Sequence, residues 1–293
     1  MTALQQALVQ LGEYSERLSR VSARTFQNPY TALDWPDALD SGADWFTSPE
    51  LLSLHGTGYL DELKEPERRL LSFLEAANFY SLNIHGEKGL ISGLAARLYR
   101  PDLLDVADYL HHFLDEENKH SLYFGGFCTR YAKVYRSRQV AVGNDLPRDI
   151  EDFLFFAKTM VFEEVVDHYN RVQSLDARLH PLARFINDNH HRDETRHLVF
   201  GRAVVSALWL AADWDTATRA DLGAQLTEFL LASWREYYNP DVYADFGLAD
   251  PWAVAEAAWA SQAQQRHRRQ ASARCLGFLV SLGVLPKEVP DAL

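Results

Sequence analysis

The sequence predicts an all-α protein built on a four-helix bundle core with additional N- and C-terminal helices. Apolar residues recur at helical spacing in long segments that proline and glycine separate. Two of these segments contain the pattern Glu-x-x-His, at residues 117–120 and 194–197. We find no strand pattern of convincing length and no glycine-rich loop suited to phosphate.

The first 64 residues are predicted to form one amphipathic helix and an irregular arm. Leucines at helical spacing favour a helix over residues 3–23. Prolines and a glycine interrupt residues 26–49, where Trp35 and Trp45 provide large apolar surfaces. We expect this arm to wrap on the bundle through its aromatic side chains.

Four core helices are predicted within residues 65–211. The first ends at Arg100-Pro101-Asp102, and we expect Asp102 to cap the second helix. A basic linker over residues 136–144 joins the two hairpins, and His180-Pro181 marks the turn of the second hairpin. The expected bounds of the four helices are residues 65–99, 103–135, 150–175 and 182–211.

Residues 212–293 are predicted to add helices to the same single domain, residues 1–293. Asp215 is expected to cap a fifth long helix that reaches Tyr238, where Asn239-Pro240 ends it. Two shorter helices are expected near residues 251–261 and 262–282.

The composition narrows the possible partners and the compartment. A formal net charge of −12 over 293 residues disfavours a nucleic acid or an anionic membrane surface as a partner. The N-terminal residues lack the basic flank and apolar run of a signal peptide. Cys128 and Cys275 form no Cys-x-x-Cys pair, which excludes an iron–sulfur centre of that type. We therefore expect a cytoplasmic protein.

The two Glu-x-x-His patterns predict a binuclear metal site. Residues three apart project from one face of a helix, so each pattern places a carboxylate beside an imidazole. In four-helix bundles that hold two irons or manganeses, two helices each give Glu-x-x-His and the other two each give a Glu. The patterns therefore nominate Glu117, His120, Glu194 and His197 as ligands.

The position of the first missing glutamate can be derived from the geometry of the first hairpin. Because a helix rises ~1.5 Å per residue, antiparallel partners at one height lie equally far from the turn. Glu87 precedes Pro101 by almost the same separation as that by which Glu117 follows it. Glu75 lies much further before Pro101 and would be displaced along the axis by roughly three turns. Glu87 is therefore the predicted ligand.

The second missing glutamate is less sharply defined. The separation of Glu194 from Pro181, measured back along the preceding helix, places its counterpart near residue 168. Glu163 and Glu164 both fit to within about a turn and a half, and geometry alone leaves the choice open. His168 is nearer in height but would leave the site one carboxylate short.

His190 is a seventh candidate ligand. It lies four residues before Glu194 and seven before His197, so the three side chains fall within a ~60° sector. The neighbouring His191 is rotated by about 100° and is expected to face outward.

Two acidic residues precede the motif glutamates, namely Glu116 and Asp193. Their functional interpretation is that each orients a ligating histidine on the neighbouring helix. In the alternative interpretation, both motifs are solvent-facing acid–base pairs, with Lys119 and Arg196 as ordinary salt-bridge partners.

Three aromatic residues lie seven positions from predicted ligands and therefore on the same helix faces. They are candidates for the substrate pocket, with bundle core as the alternative: Tyr80, Phe124 and Phe156.

The ligand pattern resembles that of the AurF-like diiron N-oxygenases, a ferritin-like family that includes p-aminobenzoate N-oxygenase. That family has a Glu, a Glu-x-x-His, a further Glu and then His-x-x-x-Glu-x-x-His, and the last element matches His190, Glu194 and His197. Residues 162–167 resemble the third ligand helix of the family, whose spacing favours Glu163 over Glu164. The resemblance covers roughly residues 70–200.

One motif departs from the family. Residues 116–120 read Glu-Glu-Asn-Lys-His, where the family commonly has Asp-Glu-x-Arg-His. The change keeps the charge and should keep the site. Around Glu87 there is no family motif beyond the glutamate itself.

The resemblance implies two iron ions, with manganese or a mixed pair as alternatives, dioxygen as cosubstrate, and an external electron-donor protein or reductant. It implies oxidation of a small-molecule amine, in particular an arylamine, to hydroxylamine, nitroso and nitro products. We also expect a homodimer. The alternatives are a diiron hydroxylase or desaturase acting on carbon, and a ferroxidase or metal-binding bundle without oxygenase activity.

Overall fold

The computed structural model describes residues 3–139, 146–287 and 293. These residues are helical apart from turns, irregular segments and an isolated bridge between Trp45 and Leu179, which confirms the all-α prediction. The helices are α1 (Ala3–Thr25), α2 (Gly58–Asp61), α3 (Glu65–Arg97), α4 (Ala107–Tyr131), α5 (Arg148–Leu175), α6 (Pro181–Ala211), α7 (Thr216–Arg235), α8 (Pro240–Phe246), α9 (Pro251–Ala260) and α10 (Gln262–Ser281). Short 3-10 turns cover Pro49–Leu51 and Leu104–Val106.

Two antiparallel hairpins, α3–α4 and α5–α6, form the core. Arg97 at the end of α3 donates to Asp152 near the start of α5 (2.9 Å), so α5 begins where α3 ends. The connection between the hairpins, of which residues 132–139 and 146–147 are described, therefore joins opposite ends of the bundle. Its Tyr135 contacts Ser81 and His85 of α3 through backbone atoms (2.9 and 2.8 Å). A long crossover of this kind occurs in ferritin-like bundles. The predicted basic linker lies outside the described residues beyond position 139.

Glycines on α3 allow α5 to approach closely. The ring of Phe162 lies over Gly86 and that of Phe155 over Gly93, where an added Cβ would overlap the ring in each case. The two glycines are seven residues apart, as are the two phenylalanines, so the contacts form one row along the α3–α5 interface. The Arg97 guanidinium stacks 4.0 Å from the Phe155 ring centroid and restricts that ring.

The remaining elements surround this core. Helix α1 packs across α4 and α6, while α7 and α10 pack against α5. The predicted arm is irregular, and its tryptophans pack as expected: Trp35 lies against Gly126 and Tyr131 of α4, and the partly buried Trp45 packs against the core. The backbone N–H of His180 donates to the backbone carbonyl of Trp45 (2.8 Å). None of the helices in the described ranges is both long and apolar enough to span a bilayer.

Four details of the sequence prediction are wrong. Helix α4 covers Ala107–Tyr131 rather than residues 103–135. Asp102 does not cap α4, because it pairs instead with Arg100 and Arg148 (2.6 and 2.8 Å). Helix α7 ends at Arg235 rather than at Tyr238. Asn239 caps a further short helix, α8, by accepting the backbone N–H of Asp241 (3.0 Å). The predicted cap of α7 by Asp215 is confirmed, since Asp215 accepts from the Thr218 N–H (2.7 Å).

Gly93→Ala should destabilise the protein by about 1–3 kcal/mol, because the new Cβ overlaps the restrained Phe155 ring. Gly89→Ala is the matched control on the same helix, since no described atom lies within 4 Å of its added Cβ. That control should be neutral or stabilising by up to ~1 kcal/mol, from helix propensity. Urea unfolding measures both, and equal effects on the free energy of unfolding would contradict the close α3–α5 packing.

Candidate metal centre

The four core helices bring all seven predicted ligands into one buried cluster. Each side chain is at most 2% exposed. The cluster contains Glu87 of α3, Glu117 and His120 of α4, Glu163 of α5, and His190, Glu194 and His197 of α6.

Three overlapping groups make up the cluster. Within each group, one donor atom per residue lies within 4.8 Å of the others. The groups are Glu87, Glu117, His120 and His190; Glu117, Glu194 and His197; and Glu163, His190 and Glu194. Glu117, His190 and Glu194 each belong to two groups. The cluster therefore offers overlapping sets of donors at more than one position, and two of these sets could be occupied side by side.

The residues that competed for these positions lie elsewhere. Glu75 accepts hydrogen bonds from the backbone N–H and the hydroxyl of Ser53 (2.9 and 2.6 Å). Glu164, next to Glu163, turns away and pairs with Arg202. His168 faces His267, with ring centroids 5.7 Å apart.

The inward-facing nitrogen of each histidine meets carboxylate oxygens. His120 Nδ1 lies 3.0 Å from Glu117 Oε2. His197 Nδ1 lies 2.8 Å from Glu117 Oε1 and 2.9 Å from Glu194 Oε1. His190 Nε2 lies 3.3 Å from Glu87 Oε1.

The outward nitrogens of two histidines are held in a crossed arrangement between α4 and α6. His120 Nε2 contacts Asp193 Oδ2 (3.1 Å), and His197 Nε2 contacts Glu116 Oε2 (2.8 Å). Each acid thus contacts the histidine of the other helix. A hydrogen bond of this kind fixes the ring orientation and leaves the inward nitrogen free for a metal.

Buried cations neutralise these two acids. Lys119 pairs with Asp193, and Arg196 pairs with both Asp193 and Glu116. Lys119 is 1% exposed and Arg196 is 7% exposed. The alternative interpretation of solvent-facing acid–base pairs is therefore wrong.

His190 has a different partner, which the sequence analysis missed. Its Nδ1 lies 2.5 Å from the side-chain amide of Asn170. The atom that faces Nδ1 is the amide nitrogen of Asn170. If Nε2 is to bind a metal, the ring proton must sit on Nδ1, and the Asn170 amide turned over by 180° would present Oδ1 to accept it. Asn170 lies seven residues after Glu163, and this spacing could have identified it.

Burial and mutual repulsion make the negative charges of the cluster unfavourable, so added positive charge would stabilise it. Burial, and then the charges of Glu117 and Glu194 respectively, raise the pKa values of Glu87 and Glu163 well above the ordinary range. Burial also raises the pKa of Glu194 to about 7. At Glu117, burial is outweighed by the charge of His197 and by hydrogen bonds, which hold its pKa low.

Unpartnered oxygens give a direct test of whether a metal fits. Glu87, Glu163 and Glu194 each have a buried Oε2 without a hydrogen-bond partner among the described residues. Such an atom costs about 1–3 kcal/mol or more when left unpaired. Two divalent cations would balance four carboxylates and provide partners for these oxygens. Carboxylate and imidazole donors in this combination suit iron or manganese.

The three candidate pocket residues are closely packed. Tyr80 stacks on Phe124 (centroids 5.4 Å apart), which in turn lies 5.2 Å from the His190 ring. Phe156 packs against Phe155 (4.9 Å). All three are at most 2% exposed. Their contact with a substrate stays a prediction.

Glu87→Gln should relieve a pH-dependent instability of the metal-free protein. A raised folded-state pKa means that the folded state binds more protons than the unfolded state, so stability falls as pH rises above the unfolded value of 4.5. From pH 6 to pH 8, the stability of the variant relative to the wild type should therefore increase by about 1–3 kcal/mol. Urea unfolding after chelation measures this difference.

Saturating Mn²⁺ should make the wild type more stable to urea than Glu87→Gln, because the wild type then gains binding energy that the variant lacks. A difference that is independent of pH in the metal-free proteins would contradict the electrostatic account of the cluster.

Comparisons with known proteins identify the family of the chain. No curated protein matches it. Among solved structures, the R2-like ligand-binding oxidase from Sulfolobus acidocaldarius aligns with a TM-score of 0.42 and 14% identity, over 92% of this chain and 90% of that chain. Residues 10–283 match the family model described as p-aminobenzoate N-oxygenase AurF. Because that match spans nearly the whole chain, the protein belongs to the AurF family of diiron oxygenases.

Proposed function

We propose that the protein is a non-haem diiron N-oxygenase that uses dioxygen to oxidise the nitrogen of a small-molecule amine. The observation that carries this proposal is the buried cluster of four glutamates and three histidines. The name of the matched family supports nitrogen as the target atom and an arylamine as the substrate. A first step would convert an amine, dioxygen, two electrons and two protons into a hydroxylamine and water, and further oxidation would give nitroso and nitro products.

Two iron ions would be held by Glu87, Glu117, His120, Glu163, His190, Glu194 and His197. When bound in the ferrous state, they supply the electrons that reduce dioxygen, and an external reductant or electron-donor protein restores that state. Asp193 and Glu116 would hold the rings of His120 and His197 in place, and Asn170 would hold that of His190.

Aromatic rings shield the centre from water. Phe113 stacks on His197 with ring centroids 4.0 Å apart, and Phe124 covers His190. Exclusion of water strengthens the electrostatic interactions in the site and protects a reactive oxidant from side reactions. The helices thus supply a dry, rigid centre, and the metals would supply the redox chemistry.

Iron-loaded, chemically reduced protein should consume dioxygen when supplied with 4-aminobenzoate. Mass spectrometry after reaction under ¹⁸O₂ should show labelled oxygen on nitrogen. Protein reconstituted with zinc is the control, because zinc has no redox chemistry. Oxygen consumption with label on carbon only, or oxidation of iron with no organic product across a panel of amines, would overturn the proposal and favour a carbon hydroxylase or a ferroxidase.

His190→Ala should lower iron content below two per chain, because it removes one of the three imidazole donors. His191→Ala is the matched control, since its side chain is turned away and contacts Asp167 (2.5 Å). Metal analysis of both purified variants decides the point. Equal iron content in the two would make His190 a core histidine rather than a ligand.

A further inference from the structure

An open groove of about 730 Å³ lies beside the metal centre, between α3, α5 and α7. Its walls include Leu90 of α3, Thr159 of α5 and Phe229 of α7, and Ser137 and Gln139 of the crossover connection contribute to one side. Small-molecule sites usually have volumes of about 300–1,000 Å³, so the groove has room for an aromatic substrate.

Two residues that line the groove are chain neighbours of predicted ligands. Gly86 and Phe162 line it, and they immediately precede Glu87 and Glu163 in the chain. The half-buried Phe162 ring fills the space over Gly86, where even a Cβ would not fit. This ring therefore closes the groove over Gly86, at the level of the helices where Glu87 and Glu163 follow in the chain.

A cation that has no acidic partner among the described residues lines the same groove. Lys158 is half-buried, and no described carboxylate lies within 4.0 Å of its Nζ. Its described contact is the Phe229 ring, 5.8 Å from Nζ to the centroid, and burial lowers the pKa of the ammonium group. By contrast, the buried Lys119 and Arg97 are both paired with aspartates.

The balance of charge in the groove favours an anion. The described residues that line the groove include two lysines, Lys88 and Lys158, but one acid, Glu236. The Glu236 carboxylate already accepts the backbone N–H of Arg138 (3.1 Å). This local positive charge occurs in a chain of net charge −12. A cleft lined by charge of one sign concentrates ligands of the opposite sign.

Lys158 lies on the same helix as Phe162 and the predicted ligand Glu163. It precedes Phe162 by four residues, so both side chains project from one face of α5. It precedes Glu163 by five residues, about 7.5 Å along the helix axis. A flat molecule whose acidic group binds Lys158 and that lies along α5 would therefore reach the level of Glu163, whose side chain projects about 140° away around the helix.

We propose that this groove binds the amine substrate, that Lys158 binds a carboxylate of that substrate, and that the Phe162 ring is the gate between the groove and the metal centre. This inference rests on the proposed function, because it assigns an entrance and a charge to the substrate of the same site.

Calorimetric titration of metal-loaded, oxygen-free protein with two probes of equal shape tests the role of Lys158. The probes are 4-aminobenzoate, which is anionic, and 4-aminobenzamide, which is neutral. Lys158→Met should weaken binding of the acid by roughly 10- to 100-fold, the usual value of a charge-assisted contact. Binding of the amide should change by less than about threefold. Lys158→Arg should retain selectivity for the acid.

Lys88→Met is the control at the exposed rim and should have a smaller effect than Lys158→Met. Equal loss for both probes, no loss for the acid, or failure of the wild type to bind the acid would overturn the assignment. Because no turnover is needed, a protein that binds the acid through Lys158 yet oxidises no amine would contradict the proposed function and leave only the carboxylate-binding site at Lys158 standing.

Phe162→Ala tests the gate. The variant should associate severalfold faster with 4-aminobenzoate in stopped-flow mixing, with its metal content unchanged. An unchanged association rate would show that the ring is not the barrier.

Discussion

Burial of four carboxylates at one level of the bundle is the constraint on which the rest of the structure depends. Glu87, Glu117, Glu163 and Glu194 come from four different helices, and each is at most 2% exposed. An uncompensated buried charge is far more costly than any single packing contact gains. In the absence of metal, raised pKa values at Glu87 and Glu163 mean that bound protons reduce this charge. The fold is therefore suited to a pair of cations that would replace those protons.

The surrounding hydrogen bonds show how the same helices keep the centre rigid. Asp193 and Glu116 each reach across to a histidine of the opposite helix, and Arg196 bridges the two acids. These contacts tie α4 to α6 at the height of the centre and do not depend on a metal. A centre held in this way has its donor atoms in position before metal binds, which lowers the cost of ordering them.

Regular helix geometry made much of this predictable from sequence. The rise per residue placed Glu87 against Glu117, and periodicity placed His190 beside Glu194. The rise could not separate Glu163 from Glu164, because that choice depends on the rotation of α5, which Arg202 helps to fix by pairing with Glu164. The groove was not predictable, because three segments distant in sequence meet there. Local errors arose where side chains had competing partners, as at Asp102, or where a proline that was taken to end one helix begins another.

The central claim is that seven side chains from four helices hold two metal ions side by side. Diffraction from crystals of iron-loaded protein, recorded above and below the iron absorption edge, tests this claim most directly. The account predicts two anomalous peaks inside the cluster, each bordered by glutamate and histidine side chains of its overlapping donor groups. A single peak, or iron bound anywhere outside these helices with the cluster empty, would contradict it.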